Sequence, residues 1–137
     1  MAKELFKRLL YCLAASIGAS LLYGLLNYQT VHGLEQKQGA FIFMTGLGFL
    51  SLLSFVFALP AFLNLNANIR QSPFTSMLSF FFMPLLLLIW LCSIISSYTQ
   101  RHLVVKDFEA AIPTAVFCVV LAFQFYKFRQ KYFPNEN

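Results

Sequence analysis

Four apolar stretches, at about Leu9–Leu26, Phe41–Leu63, Phe74–Ser97 and Ala110–Tyr126, contain no Asp, Glu, Lys, Arg or His. A helix crossing the roughly 30 Å hydrocarbon core of a bilayer needs about 20 largely apolar residues. The first three stretches have about that length, and the fourth, the shortest, nearly has it. Membrane-barrel strands would be shorter and would alternate apolar with polar side chains. Continuous runs such as Met83-Pro84-Leu85-Leu86-Leu87-Leu88-Ile89-Trp90-Leu91 predict helices instead.

Composition excludes a soluble fold. Hydrophobic residues make up 59% of the chain and charged ones 11%, whereas a soluble domain is about 25% charged. A chain of 137 residues has too little interior to hide so much apolar surface. The same hydrophobicity excludes disorder. The expected architecture is all-α: an integral membrane four-helix bundle forming a single transmembrane domain over residues 1–137. The amino-terminal Lys3, Lys7 and Arg8 resemble the start of a signal peptide. The apolar run continues to Leu26, however, which predicts an uncleaved first helix.

The charges are sorted. Lys3, Lys7, Arg8, Arg70, Lys127, Arg129 and Lys131 fall on the side of the termini, against Lys37, Arg101 and Lys106 on the other. By the positive-inside rule both termini are expected in the cytoplasm. The net charge of +5 is then concentrated on one face, where it attracts anionic lipid. No stretch is long enough for a folded basic surface, so nucleic acid is not an expected partner. Tyr11, Tyr126 and Tyr132 fall near the inner boundary and Tyr28 and Tyr98 near the outer one, the depth amphipathic rings prefer. Compactness and the lack of eukaryotic signals point to a bacterial inner membrane.

The first span is rich in small residues: Ala14, Ala15, Ser16, Gly18, Ala19, Ser20 and Gly24. Pairs four apart let another backbone approach closely. The expected helix-packing residues are Ala14, Ala15, Gly18, Ala19, Ser20 and Gly24, with the second span as antiparallel partner; a second subunit is the alternative. Pro84, in mid-span, removes one backbone hydrogen bond and is the expected kink. Pro113 suits the first turn of the fourth span, or kinks a helix that starts earlier at Asp107. Trp90 either fills a packing gap or lines a pocket. Ser72 and Pro73 are the expected cap and first residue of the third span.

Several chemistries lack their residues. The cysteines, Cys12, Cys92 and Cys118, form no C-x-x-C pair and lie in or at the edge of spans, so buried apolar cysteine is expected rather than a thiol oxidoreductase. No span carries the Ser/His, paired Asp or H-E-x-x-H of an intramembrane protease, nor the carboxylate or His usual in proton-coupled transport. No catalytic residue and no cofactor is expected. One constellation remains, in the outer loops: His32, Glu35, Arg101, His102, Asp107 and Glu109. Histidines and carboxylates can share a metal, but short loops must place polar residues somewhere. A mixed-charge cap that binds another protein is the expected role, with no metal.

Two functional readings follow. The first is a non-catalytic protein that acts through protein–protein interaction, with a membrane or periplasmic partner. It would be an accessory subunit of a membrane complex, or an immunity-type protein against a membrane-acting toxin. The second is a small transporter, channel or lipid-handling protein, as a homo-oligomer, with Ser93, Ser96, Ser97, Thr114 and Gln124 along its pathway.

Overall fold

The computed structural model describes residues 1–30, 33–99 and 109–132, and the side chains of all of these except residues 30, 35 and 95–99. The elements are α1 (Ala2–Thr30), α2 (Leu34–Phe57), a 3₁₀ segment (Leu59–Leu65), α3 (Ala67–Gln71), α4 (Pro73–Thr99) and α5 (Ile112–Tyr132). No strand occurs among the described residues. Among the described residues, four helices are long and apolar enough to cross a membrane; α1 and α4 contain the first and third expected stretches, the second runs from α2 on into the 3₁₀ segment, and the fourth begins just before α5.

The helices outrun the apolar stretches. α1 has 29 residues and is about 43 Å long at 1.5 Å per residue. Bilayer thickness fixes the apolar length, whereas the backbone stays helical through the charged turn Lys3–Arg8. The second span instead changes form at its end. α2 stops at Phe57 and Pro60 enters the 3₁₀ segment near its start, because proline lacks the N–H that would continue the α ladder. In the following loop the Asn66 side chain accepts from Asn68 N at 3.0 Å, capping α3. Pro73 opens α4, whose first turn is closed by Ser76 N donating to Ser72 O at 3.0 Å.

α1 lies against both α2 and α5, antiparallel to each. Phe6 meets Phe55, Ser16 meets Ser51 and Gly24 meets Met44, so residue numbers run in opposite directions. The same reversal relates α1 to α5, through Arg8 with Gln124 and Ser16 with Pro113. The buried stripe of α1 is Leu5, Leu9, Cys12, Ser16, Ser20 and Gly24, the three- and four-residue spacing of one helix face.

The apolar core sits in the half of the bundle that holds the termini. Leu5, Leu9, Cys12, Ala58, Ala61, Phe80, Phe117, Leu121 and Phe128 are buried together. Phe80 is wedged against Phe125 (5.1 Å between centroids) and Phe128 (5.6 Å), and Phe128 continues to Tyr132 (4.9 Å). In lipid such contacts hold helices by close packing rather than by removal from water. α4 is anchored here. It runs through Pro84, which is buried, and beyond it turns Leu85, Leu86, Ile89 and Trp90 outward.

Candidate functional site

Hydroxyls occupy the middle of the bundle. Ser16 and Ser20 from α1, Ser51 and Ser54 from α2, and Thr114 from α5 are all buried. Ser16 Oγ lies 2.9 Å from Ser51 Oγ and 2.8 Å from Pro113 O, so one side chain of α1 bonds to both α2 and α5. Ser20 Oγ lies 2.8 Å from Ser16 O and 3.1 Å from Ser51 Oγ, and Ser51 Oγ lies 3.1 Å from Leu47 O. Each hydroxyl has one proton to donate. Ser16, Ser20 and Ser51 therefore share three protons among these five contacts. The Ser54–Thr114 pair is different. Ser54 donates to Leu50 O at 2.8 Å, which leaves Thr114 as donor across the 3.1 Å gap to Ser54 Oγ.

A charge cluster closes the end that carries the termini. Glu4 accepts from Arg8 Nη2 at 3.2 Å, from Lys131 Nζ at 3.0 Å and from Tyr132 Oη at 2.9 Å. Arg8 Nη1 donates to both Gln124 O and Gln124 Oε1 at 3.2 Å, while Arg8 Nε is buried without a partner. Glu4 lies before the apolar stretch, outside the span. The Lys131 ammonium and the Tyr132 hydroxyl hold its carboxyl well below the usual carboxylate range. Arg129 donates to Arg70 O at 3.1 Å, meeting a carbonyl at the end of α3.

The expected helix-packing residues divide between two faces. Ser20 and Gly24 are buried in the bundle, Ala15 and Ala19 are half-buried, and Ala14 and Gly18 are exposed. A Cβ built on Gly18 meets nothing within 4 Å, whereas one built on Gly24 meets the Met44 side chain, Sδ at 2.6 Å and Cβ at 3.1 Å. Trp90 fills no gap. It is 57% exposed and lines a lipid-facing groove with Leu53, Phe57, Leu86 and Leu87. Cys12, Cys92 and Cys118 are free thiols, Cys12 buried and the other two half-buried.

Of the outer-loop residues, His32, Arg101, His102 and Asp107 lie outside the described residues, as does the Glu35 side chain. Gly33 turns the chain into α2 with φ of 108°, a conformation that favours glycine. Glu109 is half-buried and lies within hydrogen-bonding reach of the Tyr23 hydroxyl, which also has Asn27 beside it. It thus stands at the entry of α5 beside the Tyr23–Thr30 end of α1. No group of three or more His, Cys, Asp or Glu that could hold a metal occurs among the described residues.

The path-lining candidates are dispersed. Thr114 is held by Ser54 and Gln124 by Arg8. Ser93 is exposed, with its hydroxyl bonded to Ile89 O at 2.8 Å. The Ser96 and Ser97 side chains lie outside the described residues. Two groups had no counterpart in the sequence reading. The Glu4 cluster was foreshadowed only by the four-residue spacing of Glu4 and Arg8, since its other half comes from the opposite end of the chain. Asn64, the residue after the second apolar stretch, is fully buried. Its amide donates to Ala61 O at 3.1 Å and to Ser79 Oγ, while Asn64 Oδ1 and Ser76 Oγ are buried without partners.

No family model, curated protein or solved structure matches this chain.

Proposed function

We propose that this chain is a small non-catalytic integral membrane protein that acts by binding another protein. It would be an accessory subunit of a membrane complex, or an immunity-type protein against a membrane-acting toxin. In this reading it sits in a bacterial inner membrane with both termini in the cytoplasm. The carrying observation is how its interior polar groups are used. The hydroxyls of Ser16, Ser20, Ser51, Ser54 and Thr114 are bonded to one another or to backbone carbonyls of neighbouring turns. Gln124 is engaged by Arg8. Groups used in this way hold helices together, which favours a role for the surface over a role for the interior. The charge asymmetry between the two ends favours the orientation.

The test is crosslinking in the native membrane, followed by mild solubilisation and purification of the full chain. The expected result is a stoichiometric partner protein joined to it. Recovery of the chain alone, without adducts, counts against the reading. So does solute flux in proteoliposomes that falls when Gln124 is changed to Leu, the result the transporter reading requires.

A further inference from the structure

At the end of the bundle that carries the termini, α1 and α5 enclose a cleft of about 530 Å³ lined by Glu4, Lys7, Arg8, Tyr11, Gln124 and Lys127. We propose that this cleft binds the phosphate headgroup of an anionic phospholipid. Three cations face one carboxylate there, and that carboxylate is already met by Lys131 and Tyr132 as well as Arg8. The field left in the cleft is positive.

The donors are in place for a phosphate. Lys7 and Lys127 are exposed, and neither makes an ion pair among the described residues. Lys7 Nζ rests 5.8 Å from the centre of the Tyr11 ring, which holds it over the cleft wall. Arg8 has both terminal nitrogens engaged, but its Nε is buried without an acceptor. That atom is closed off from the cleft, so a phosphate there is met by the ammonium groups of the two lysines, and Arg8 adds its charge.

Position separates a phospholipid from free phosphate. The apolar stretch of α1 begins at Leu9 and that of α5 ends at Tyr126, so the cleft lies at headgroup depth. Below Lys127, at four-residue spacing on the same face of α5, come Phe123 and Val119, 65% and 58% exposed. That stripe leads straight from the cleft into the bilayer and gives an acyl chain a surface to follow. The site does not depend on which leaflet holds it.

The test uses the purified full chain in mild detergent, with native mass spectrometry and thermal unfolding as readouts. Phosphatidylglycerol, phosphatidylcholine and inorganic phosphate are added separately. Phosphatidylglycerol should stay bound and raise the unfolding temperature, and the other two should do neither. A lysine near a membrane surface contributes about fivefold in affinity for anionic lipid, so the Lys7→Gln/Lys127→Gln double should bind about 30-fold more weakly. Lys3→Gln removes one charge from the same end but outside the cleft, and should weaken binding less than Lys7→Gln or Lys127→Gln does. The Lys7→Arg/Lys127→Arg double keeps the charges and should bind like the parent. Loss of binding in that variant overturns the proposal. So does equal retention of phosphatidylcholine, an equal response to phosphate, or a Lys3→Gln effect as large as that of Lys7→Gln or Lys127→Gln.

Discussion

Gly18 and Gly24 carry the same motif in the sequence and should respond to alanine in opposite directions. At Gly24 the new methyl group would stand 2.6 Å from Met44 Sδ and 3.1 Å from Met44 Cβ. The thioether can rotate away, but the Met44 Cβ moves only if the two backbones separate by a few tenths of an ångström. Overpacking a close contact of this kind costs about 1–3 kcal/mol. Because part of the clash is with a flexible chain, the lower half of that range, about 1–2 kcal/mol, applies here. At Gly18 the methyl meets nothing within 4 Å. There the change only restricts a helical glycine, which is worth up to about 1 kcal/mol of stabilisation. The two variants should therefore differ by roughly 2 kcal/mol. Reversible unfolding in mixed micelles measures this, followed by the fluorescence of the single tryptophan. Trp90 suits the purpose because it lies on the groove it shares with Leu53 and Phe57 of α2. In a Met44→Ala background the Gly24→Ala cost should fall by about half or more, since only the Cβ contact remains. Equal effects at the two glycines, or a Gly24→Ala cost unchanged by Met44→Ala, would refute the assignment of Gly24 as the close approach of α1 to α2.

Four further outcomes are expected. Thr114→Val removes the donor that only Ser54 receives, and should lower stability in the same assay by about 0.6 kcal/mol, with about 1.7 as the ceiling for such a bond in lipid. Ser51→Ala should cost no more, because Ser16 and Ser20 keep the acceptors Pro113 O and Ser16 O. Gly33→Ala forces a side chain onto φ 108° and ψ 151°, a region essentially confined to glycine, and should cost about 1–3 kcal/mol, visible as a lower unfolding temperature in detergent. The Glu4 carboxyl is depressed in the folded state. Its contribution should be complete above the unfolded carboxylate pKa of about 4.3 and vanish as pH falls through the lower folded value. A pair of spin labels attached at neutral pH through cysteines placed at Lys3 and Gln130, in a background without the native cysteines, has its separation measured at stepped pH and reads this as loosening of the termini only under strong acid. Glu4→Gln should be equally loose at pH 7 and at acid pH.

What could be read ahead of the structure was whatever depends on one helix at a time. Ser72 and Pro73 mark the start of α4, and Pro113 falls in the first turn of α5, because caps and proline act within a few residues of themselves. The small-residue pattern of α1 showed that some face is closely packed. It did not show which, since Ala14/Gly18 and Ser20/Gly24 satisfy the same spacing. Only the neighbours of α1 separate them. The burial of Asn64 escaped for a related reason. An asparagine after an apolar run reads as the start of a loop, and only α4, packed across the 3₁₀ segment, supplies Ser79 to receive it.

The sequence by itself determined that the chain is helical, with four segments fit to span a membrane, and that its charges lie outside their apolar stretches. Bilayer thickness and the cost of burying charge act on each segment separately, so no partner is needed to read them. The tertiary structure decided what the few interior polar groups do. A serine in an apolar helix can face a pathway or a neighbour; here Ser16 meets Ser51 and Pro113, and Thr114 meets Ser54. The tertiary structure also brought Glu4 to Lys131 across 127 positions of chain. Both are facts of helix juxtaposition, set by which faces pack together, and local pattern carries no record of that choice.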